Sequence, residues 1–485
     1  KIEIFNQAYV KCITDDLGLQ QDLSDFFTFQ VPGASFMPSV RARRWDGKIR
    51  LYSKATGKIY RGLVPYIQHF CEKNRHTIIL PDGYNRTGDV PRDDFSKFVD
   101  KILTKSIKIR DYQLNAFRHA FTNKRCILLS PTASGKSLII YCIIRMMTTL
   151  GKRSLLVVPT TSLVEQMYKD FEDYSWKAED YVQRKYYGYE IDEKKPVVVS
   201  TWQSLATFDK KYFEQFGAVF GDEAHLFKSK SLTEIMTKLI DCKYRIGLTG
   251  TLDGAHTHKL VLEGLFGAVN KVTSTKKLMD KKQLSNLVVR CLILKHTEEN
   301  SKMIASGKYQ DEIDYLVSSK SRNNFIKNLA LKLKGNTLVL FQLVEKHGKD
   351  LHKLIEDKAE NNRKIFYIYG GVETEEREKA RAIVEKETDA IIVASYGTFS
   401  TGINIRNLHN IIFASPSKSR IRNLQSIGRG LRLGDNKVNA TLYDIADDMQ
   451  YKSKENFTLK HFQERINIYT EEEFDYEIHN INLKE

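Results

Sequence analysis

Two short stretches carry residue types that could together perform phosphoryl chemistry. LLSPTASGKS (128–137) ends in Gly135-Lys136-Ser137, and AVFGDEAH (218–225) holds the adjacent carboxylates Asp222 and Glu223. In the first, an apolar strand ends at Ser130, a short loop follows, and a helix opens at Lys136. Backbone N–H groups at a helix N-terminus point at an anion, and the helix dipole favours it. Thr132, Ala133, Ser134, Gly135, Lys136 and Ser137 therefore form a candidate phosphate cradle. Lys136 is expected to reach the β- and γ-phosphates and the Ser137 hydroxyl to ligate Mg2+. The usual loop has Gly five places before Gly135, where this chain has Ser130. In the second stretch the carboxylates follow a buried strand directly, at the edge of a parallel sheet where ligands bind. Asp222 can hold the metal through water, and Glu223 can polarise an attacking water as base. An acid-rich exposed helix start is the bland alternative, and the pairing with a phosphate loop argues against it.

The elements that must position these residues follow a regular pattern. From about Ile107, short apolar runs alternate with helix-length segments. The first set is CILLS (126–130), SLLVV (154–158), VVVS (197–200), AVFG (218–221) and YRIGL (244–248). A polar interval near 270–290 precedes TLVLF (337–341), IFYIY (365–369), AIIVA (390–394), NIIFA (410–414) and ATLYD (440–444). Such runs indicate parallel strands buried on both faces, in two α/β domains of similar size. Residues 1–100 have scattered short strands and helices, ending in the polar stretch PDGYNRTGDVPRDD (81–94); the tail after Asp448 is helical through KENFTLKHFQERINIY and then acidic. The expected divisions are 1–100, 101–280, 281–448 and 449–485.

Composition narrows the class of partner. The 485 residues include 76 Lys and Arg against 60 Asp and Glu, a net charge of +16. That surplus favours a polyanion. No run approaches the ~20 apolar residues of a membrane span, and the opening KIEIFNQAYVKC has no signal-peptide pattern. The six cysteines have no Cys-x-x-Cys pair, so reduced thiols in a cytoplasmic protein are expected. The histidines form no ligand cluster.

With these features in place the chain resembles the superfamily-two DEAD/DEAH-type helicases and translocases over nearly all of 107–448. Arg110-Asp111-Tyr112-Gln113 resembles the family's adenine-reading segment, with Gln113 as reader. VPTTSLVEQ (158–166) and STWQSL (200–205) resemble its nucleic-acid-contacting motifs, which implies contact by Pro159, Thr160 and Thr201. GLTGT (247–251) is similar to the coupling motif, implying that Thr249 and Thr251 act with His225. SYGTFSTGINI (395–405) resembles the segment that senses nucleotide and grips the strand, with Gly402 and Asn404; many relatives have Asp at the latter position. QSIGRGLR (425–432) resembles the arginine-finger motif, Gln425 with Arg429 and Arg432, the two arginines expected one helical turn apart. The resemblance implies two tandem RecA-like parallel-sheet domains, preceded by a small α+β domain and followed by a short helical tail. It implies ATP hydrolysis with Mg2+ and movement on nucleic acid. The first position of the loop is commonly not Gly in this family, so Ser130 is tolerated.

The first hundred residues bear on the substrate. RARRWDGKIRLY (41–52) contains Asp46-Gly47, a two-residue hairpin signal. Pairing around it sets Trp45 against Lys48, Arg43 against Arg50 and Arg41 against Tyr52, one face of cations and aromatics suited to phosphate and base stacking. A solvated face with Trp45 covering core is the alternative. The order of parts resembles the recombination and repair helicases of bacteriophages. That implies branched DNA (forks and four-way junctions) and RNA–DNA hybrids as partners, unwinding, branch migration and annealing as activities, no membrane, a monomer, and the host cytoplasm as location. A duplex translocase, an RNA helicase and a binding protein with a degenerate ATPase remain open from the residues alone.

Overall fold

The structure, a computed structural model, describes the chain apart from residues 32, 83, 85–90, 187–193, 253–255, 361–362, 403–404, 416–418, 433–438 and 484–485. It divides into two compact units, Lys1–Ser130 with Gly135–Val272, and Pro131–Ser134 with Thr273–Glu485.

The first unit is built on a seven-stranded sheet in the order Val269–Lys271, Arg125–Leu129, Tyr244–Thr249, Ala218–Gly221, Ser154–Val158, Val197–Thr201, Val182–Lys185. Every neighbouring pair is parallel. All five apolar runs of the first set are strands, and their β-branched residues are buried on both faces. One face packs against the helix Lys136–Thr149, itself apolar nearly all round. The other shares a continuous core with the N-terminal residues: Val10, Phe27, Ile59 and Ile67 join Ile127, Leu155 and Val219.

That shared core is reinforced by close contacts. A Cβ at Gly62 would lie 1.9 Å from the Glu263 carbonyl oxygen, so only glycine permits the approach. The Tyr66 hydroxyl donates to Glu263 Oε2 at 2.5 Å, and Arg125 Nη1 donates to the Gln7 carbonyl at 2.7 Å. The N-terminal residues themselves form a three-stranded antiparallel sheet of Ile2–Ile4, Tyr9–Cys12 and Lys58–Tyr60, and a two-stranded one of Thr28–Gln30 and Lys48–Arg50.

This last pairing corrects the expected hairpin. Lys48–Arg50 pairs with Thr28–Gln30, not with 41–45, in the register Thr28↔Arg50, Phe29↔Ile49, Gln30↔Lys48. Pro38 at the first helical position starts the helix Pro38–Arg41, and Arg43 takes a positive φ of 56°. A helix followed by a left-handed residue cannot run as a strand into the Asp46-Gly47 turn. The turn itself forms: Asp46 Oδ1 accepts from Lys48 N at 3.0 Å and Gly47 has φ 75°.

The second unit is a parallel sheet of Ile365–Ile368, Ile391–Ser395, Thr337–Phe341, Asn410–Phe413, Asn439–Asp448, Asn286–Lys295 and Asp475–Asn482, in that order. Two of these strands lie where none was expected. Asn286–Lys295 begins inside the interval read as polar, because its charged residues Arg290 and Lys295 fall at exposed positions of an otherwise buried strand. The tail carries the expected helix, Phe457–Glu471, and then adds Asp475–Asn482 to the sheet edge. Buried ion pairs hold this end together: Arg465 Nε with Asp444 at 2.8 Å, and Arg322 Nε with Asp447 at 2.8 Å. The six cysteines are all free. Among the described residues no helix is long and apolar enough to cross a membrane.

Candidate active site

The phosphate loop begins where Arg125–Leu129 ends. Ser130 N donates to the Thr249 carbonyl at 2.9 Å, which extends the parallel pairing by one residue and fixes the loop's start. The backbone turns left-handed at Ala133 (φ 64°) and again at Gly135 (φ 78°). Alternation of this kind gathers successive N–H groups into an anion-binding concavity. Ser134 is fully buried and its hydroxyl donates to the Pro131 carbonyl at 2.7 Å, so it shapes the loop from within. The helix Lys136–Thr149 then opens at Lys136, whose Nζ lies 3.4 Å from the Ser130 carbonyl.

Gly135 is required twice over. Besides its φ, a Cβ there would meet Gln113 Nε2 at 2.4 Å. Gln113 is buried (3% exposed), with its Oε1 accepting from Arg110 N at 2.9 Å and its Nε2 3.5 Å from the Gly135 carbonyl. The expected adenine reader thus sits against the start of the phosphate helix, at the N-terminal turn of Asp111–Asn123.

Asp222 and Glu223 follow the strand Ala218–Gly221, two strands from the loop across Tyr244–Thr249. Asp222 N donates to the Val157 carbonyl at 3.0 Å. The Asp222 carboxyl is 6% exposed, and burial together with the neighbouring Glu223 charge pushes its pKa up to about 6. Lys136, the Glu223 N–H and His225 pull the other way. A buried carboxylate held partly against ionisation gains from a cation brought to it.

Glu223 has the left-handed φ of 49° and leads into a short 3₁₀ turn, Ala224–Lys228. That turn aims His225 inward: its Nδ1 lies 3.4 Å from Glu223 Oε2 and 3.0 Å from Thr249 Oγ1. The Thr249 hydroxyl donates to the Thr251 carbonyl at 2.8 Å. With that proton committed, the imidazole Nδ1–H is the donor to Thr249. The structure thereby brings four of the expected residues together: hydrogen bonds join His225, Thr249 and Thr251, and Glu223 lies within ion-pair distance of His225.

The chain's donors fit magnesium in one particular way. Among the described residues no group of three or more His, Cys, Asp or Glu could hold a metal ion by itself. Mg2+ typically takes one or two carboxylates plus substrate phosphates and water. Asp222 supplies one such carboxylate, and Ser137 supplies a hydroxyl in the first turn of Lys136–Thr149.

One residue was invisible in the sequence. Tyr174 meets Ser137, its hydroxyl 2.8 Å from Ser137 Oγ, while the Tyr141 hydroxyl donates to the Tyr174 carbonyl at 3.0 Å. The contact spans 37 residues with no motif to announce it. Pro159 and Thr160 lie past the end of Ser154–Val158, where Thr160 caps Thr161–Asp173 by accepting from Leu163 N. Thr201 ends Val197–Thr201, 4% exposed, its hydroxyl 3.0 Å from Ser204 Oγ.

In the second unit Gly402 closes the helix Tyr396–Gly402, and Asn404 lies outside the described residues. Gln425 and Arg429 lie one turn apart on Arg420–Gly430, capped by Ser419 accepting from Arg422 N. Arg432 departs from expectation: the helix ends at Gly430, so Arg432 stands just past it. There Ser285 N donates to the Leu431 carbonyl at 2.9 Å, drawing the backbone out of the helix where Gly430 disfavours it.

Of the N-terminal candidates, Arg41, Arg43, Lys48 and Arg50 are exposed and Trp45 is half-buried. Arg50 pairs with Asp46 at 2.5 Å, and the Trp45 indole N–H donates to the Lys48 carbonyl at 3.0 Å. Tyr52 is a correction. At 3% exposed it belongs to the core, because its bridge to Ile59 turns it inward.

Comparison with known proteins agrees with this architecture. The family model described as "DNA helicase UvsW, N-terminal" matches residues 1–81, "Type III restriction enzyme, res subunit" matches 106–254, and "Helicase conserved C-terminal domain" matches 320–434. The chain is 35% identical to the ATP-dependent DNA helicase uvsW of Enterobacteria phage T4 over 95% of each protein. The crystal structure of T4 UvsW superposes with a TM-score of 0.53 at 32% identity, covering 100% of this chain and 99% of that one. The DNA 3'-5' translocase XPB2 of Sulfurisphaera tokodaii is 24% identical, over 70% of this chain and 81% of its own length.

Proposed function

Because the chain belongs to the UvsW group of superfamily-two ATP-dependent DNA helicases, we propose that it remodels branched nucleic acids. Forks, four-way junctions and the RNA–DNA hybrids of R-loops are the substrates; unwinding, branch migration and annealing are the activities. Recombination, repair and replication in a host cytoplasm are the setting. The observation that carries this reading is the run of contacts Glu223–His225–Thr249–Thr251, which ties the carboxylate after Ala218–Gly221 to the end of Tyr244–Thr249, the strand whose Thr249 carbonyl accepts from Ser130 N.

The residues divide the work as follows. Thr132, Ala133, Ser134 and Gly135 wrap the phosphates with backbone amides, Lys136 neutralises the β- and γ-phosphates, and Gln113 reads the adenine. Asp222 and Ser137 would hold Mg2+, which would screen the phosphate charge. Glu223 orients water and takes its proton. Arg429 and Arg432 supply the positive charge that phosphoryl transfer needs, with Gln425, Gly402 and Asn404 as nucleotide and strand sensors. Pro159, Thr160 and Thr201, and the exposed Arg41, Arg43, Lys48 and Arg50, contact the sugar–phosphate backbone, a mode tolerant of sequence. The functional divisions are 1–100, 101–280, 281–448 and 449–485, acting as a monomer.

Likeness to a protein named as a translocase favours one second reading, movement along duplex without strand separation. Steady-state ATP hydrolysis with no nucleic acid, single strand, plain duplex, forked DNA and RNA–DNA hybrid separates the two, with Lys136→Ala as control. Stimulation strongest with forks or hybrids is expected. Equal stimulation by plain duplex, with no displaced strand, overturns the branched-substrate reading in favour of the translocase.

A further inference from the structure

Eight of the sixteen exposed large apolar side chains among the described residues lie within the first 80 positions. Two stand out at three-quarters exposed, Leu17 (76%) and Phe36 (75%). Their surroundings differ in charge. Leu17 follows Asp15 and Asp16. Phe36 opens the exposed run Phe36-Met37-Pro38, and Arg41, Arg43 and Arg44 follow, all exposed and with no acid between.

The run is held by local backbone hydrogen bonds. A 3₁₀ turn, Ala34–Phe36, passes directly into the helix Pro38–Arg41. Phe36 N donates to the Gly33 carbonyl at 3.0 Å, Met37 N to Ala34 at 2.9 Å and Arg41 N to Met37 at 3.0 Å. The last bond places Arg41 one helical turn from Met37. Beneath the knuckle Ala34 is buried, and Val31 N donates to the Gly47 carbonyl at 2.8 Å. A Cβ on Gly47 would lie 2.8 Å from Ala34 Cβ, so the turn at Asp46-Gly47 is what seats it. The hydrogen-bonded backbone therefore presents Phe and Met outward, which lowers the backbone part of the ordering cost on contact.

Phe, Met and Pro are residue types that proteins insert between base steps, unstacking them. An aromatic face gains by stacking on a base, and arginines beside it bind the phosphates that converge where strands part. We propose that Phe36-Met37-Pro38 is an apolar wedge that parts base pairs at a DNA junction, positioned by Arg41, Arg43 and Arg44. This rests on the reading of the protein as a strand-separating helicase and names the residues that do the separating.

The test compares the wild-type full chain with Phe36→Ser/Met37→Ser and with Phe36→Trp. Strand displacement on forked DNA, ATP hydrolysis stimulated by the same DNA, and the DNA concentration for half-stimulation are read together. Both altered side chains are exposed, so folding is not at stake. The double variant is expected to displace strands at least about tenfold more slowly, with stimulated hydrolysis and half-stimulating DNA within about twofold of wild type, and Phe36→Trp to retain displacement. Unchanged displacement in the double variant overturns the wedge. So does a loss of stimulation in step with displacement, which would make the knuckle an ordinary docking surface. If the wild type hydrolyses ATP on forks yet displaces no strand, the helicase reading itself fails, and the wedge with it.

Discussion

Asp222→Asn should make the resting protein more stable while destroying its activity. The Asp222 carboxyl is 6% exposed, and its pKa is raised from 3.8 to about 6 by burial and the Glu223 charge. A raised folded pKa means that ionising the group costs native stability. The penalty is absent below about pH 4, opens as pH rises through about 4 to 6, and is complete above. About two units at 1.36 kcal/mol each makes it ~3 kcal/mol. Asn carries no charge to desolvate and keeps an oxygen to accept from Glu223 N, the contact Asp222 makes at 3.0 Å. At ~2–4 °C per kcal/mol for domains of this order, the variant should melt ~6–12 °C higher at pH 8. All three tryptophans, Trp45, Trp176 and Trp202, lie in the first unit with Asp222, so intrinsic fluorescence follows that unit alone. Melting is recorded with chelator and without nucleotide between pH 4 and 8. The gap should close as pH falls from 6 to 4, and ATP turnover should be lost throughout. A variant no more stable than wild type at pH 8, or a gap indifferent to pH, would refute the argument that the site stores desolvation energy.

Three further outcomes are expected. Arg429→Ala should cut ATP turnover on the order of 10³-fold, measured at saturating DNA, because the transition state is deprived of charge stabilisation. His225→Ala removes the middle of the Glu223–Thr249 link, so strand displacement per ATP consumed should fall more steeply than hydrolysis; an equal fall would make His225 part of the hydrolytic machinery. Arg41→Glu with Arg43→Glu should weaken binding to every DNA form alike and lower the salt dependence of log K by roughly 0.9 for each phosphate no longer neutralised, read from titrations across ionic strength.

The candidate catalytic framework was legible in the sequence alone, and the reason is locality. Strands buried on both faces in a parallel sheet favour short apolar runs, so ten of the fourteen strands in the two sheets stand out in the amino-acid order. A phosphate loop needs Gly135 and Lys136 at a strand–helix junction, and two carboxylates straight after a buried strand gain their meaning from being paired with such a loop. Basic character at 41–50 was equally legible, since charge survives any folding. What tertiary structure decided was pairing at a distance. Lys48–Arg50 chose Thr28–Gln30 over its neighbour because Pro38 and the left-handed Arg43 had already turned the chain. Tyr52 was drawn into the core by Ile59, and Tyr174 was brought to Ser137 by helices that pack only once the sheet exists. The strand Asp475–Asn482, exposed along most of its length, has no apolar signature of its own and becomes a strand only because Asn286–Lys295 offers it an open edge. Residue types and their spacing fix chemistry that acts over a few positions. Exposure, orientation and the contacts that join Glu223 to Thr251 depend on which distant segments arrive beside them, and only the folded chain settles that.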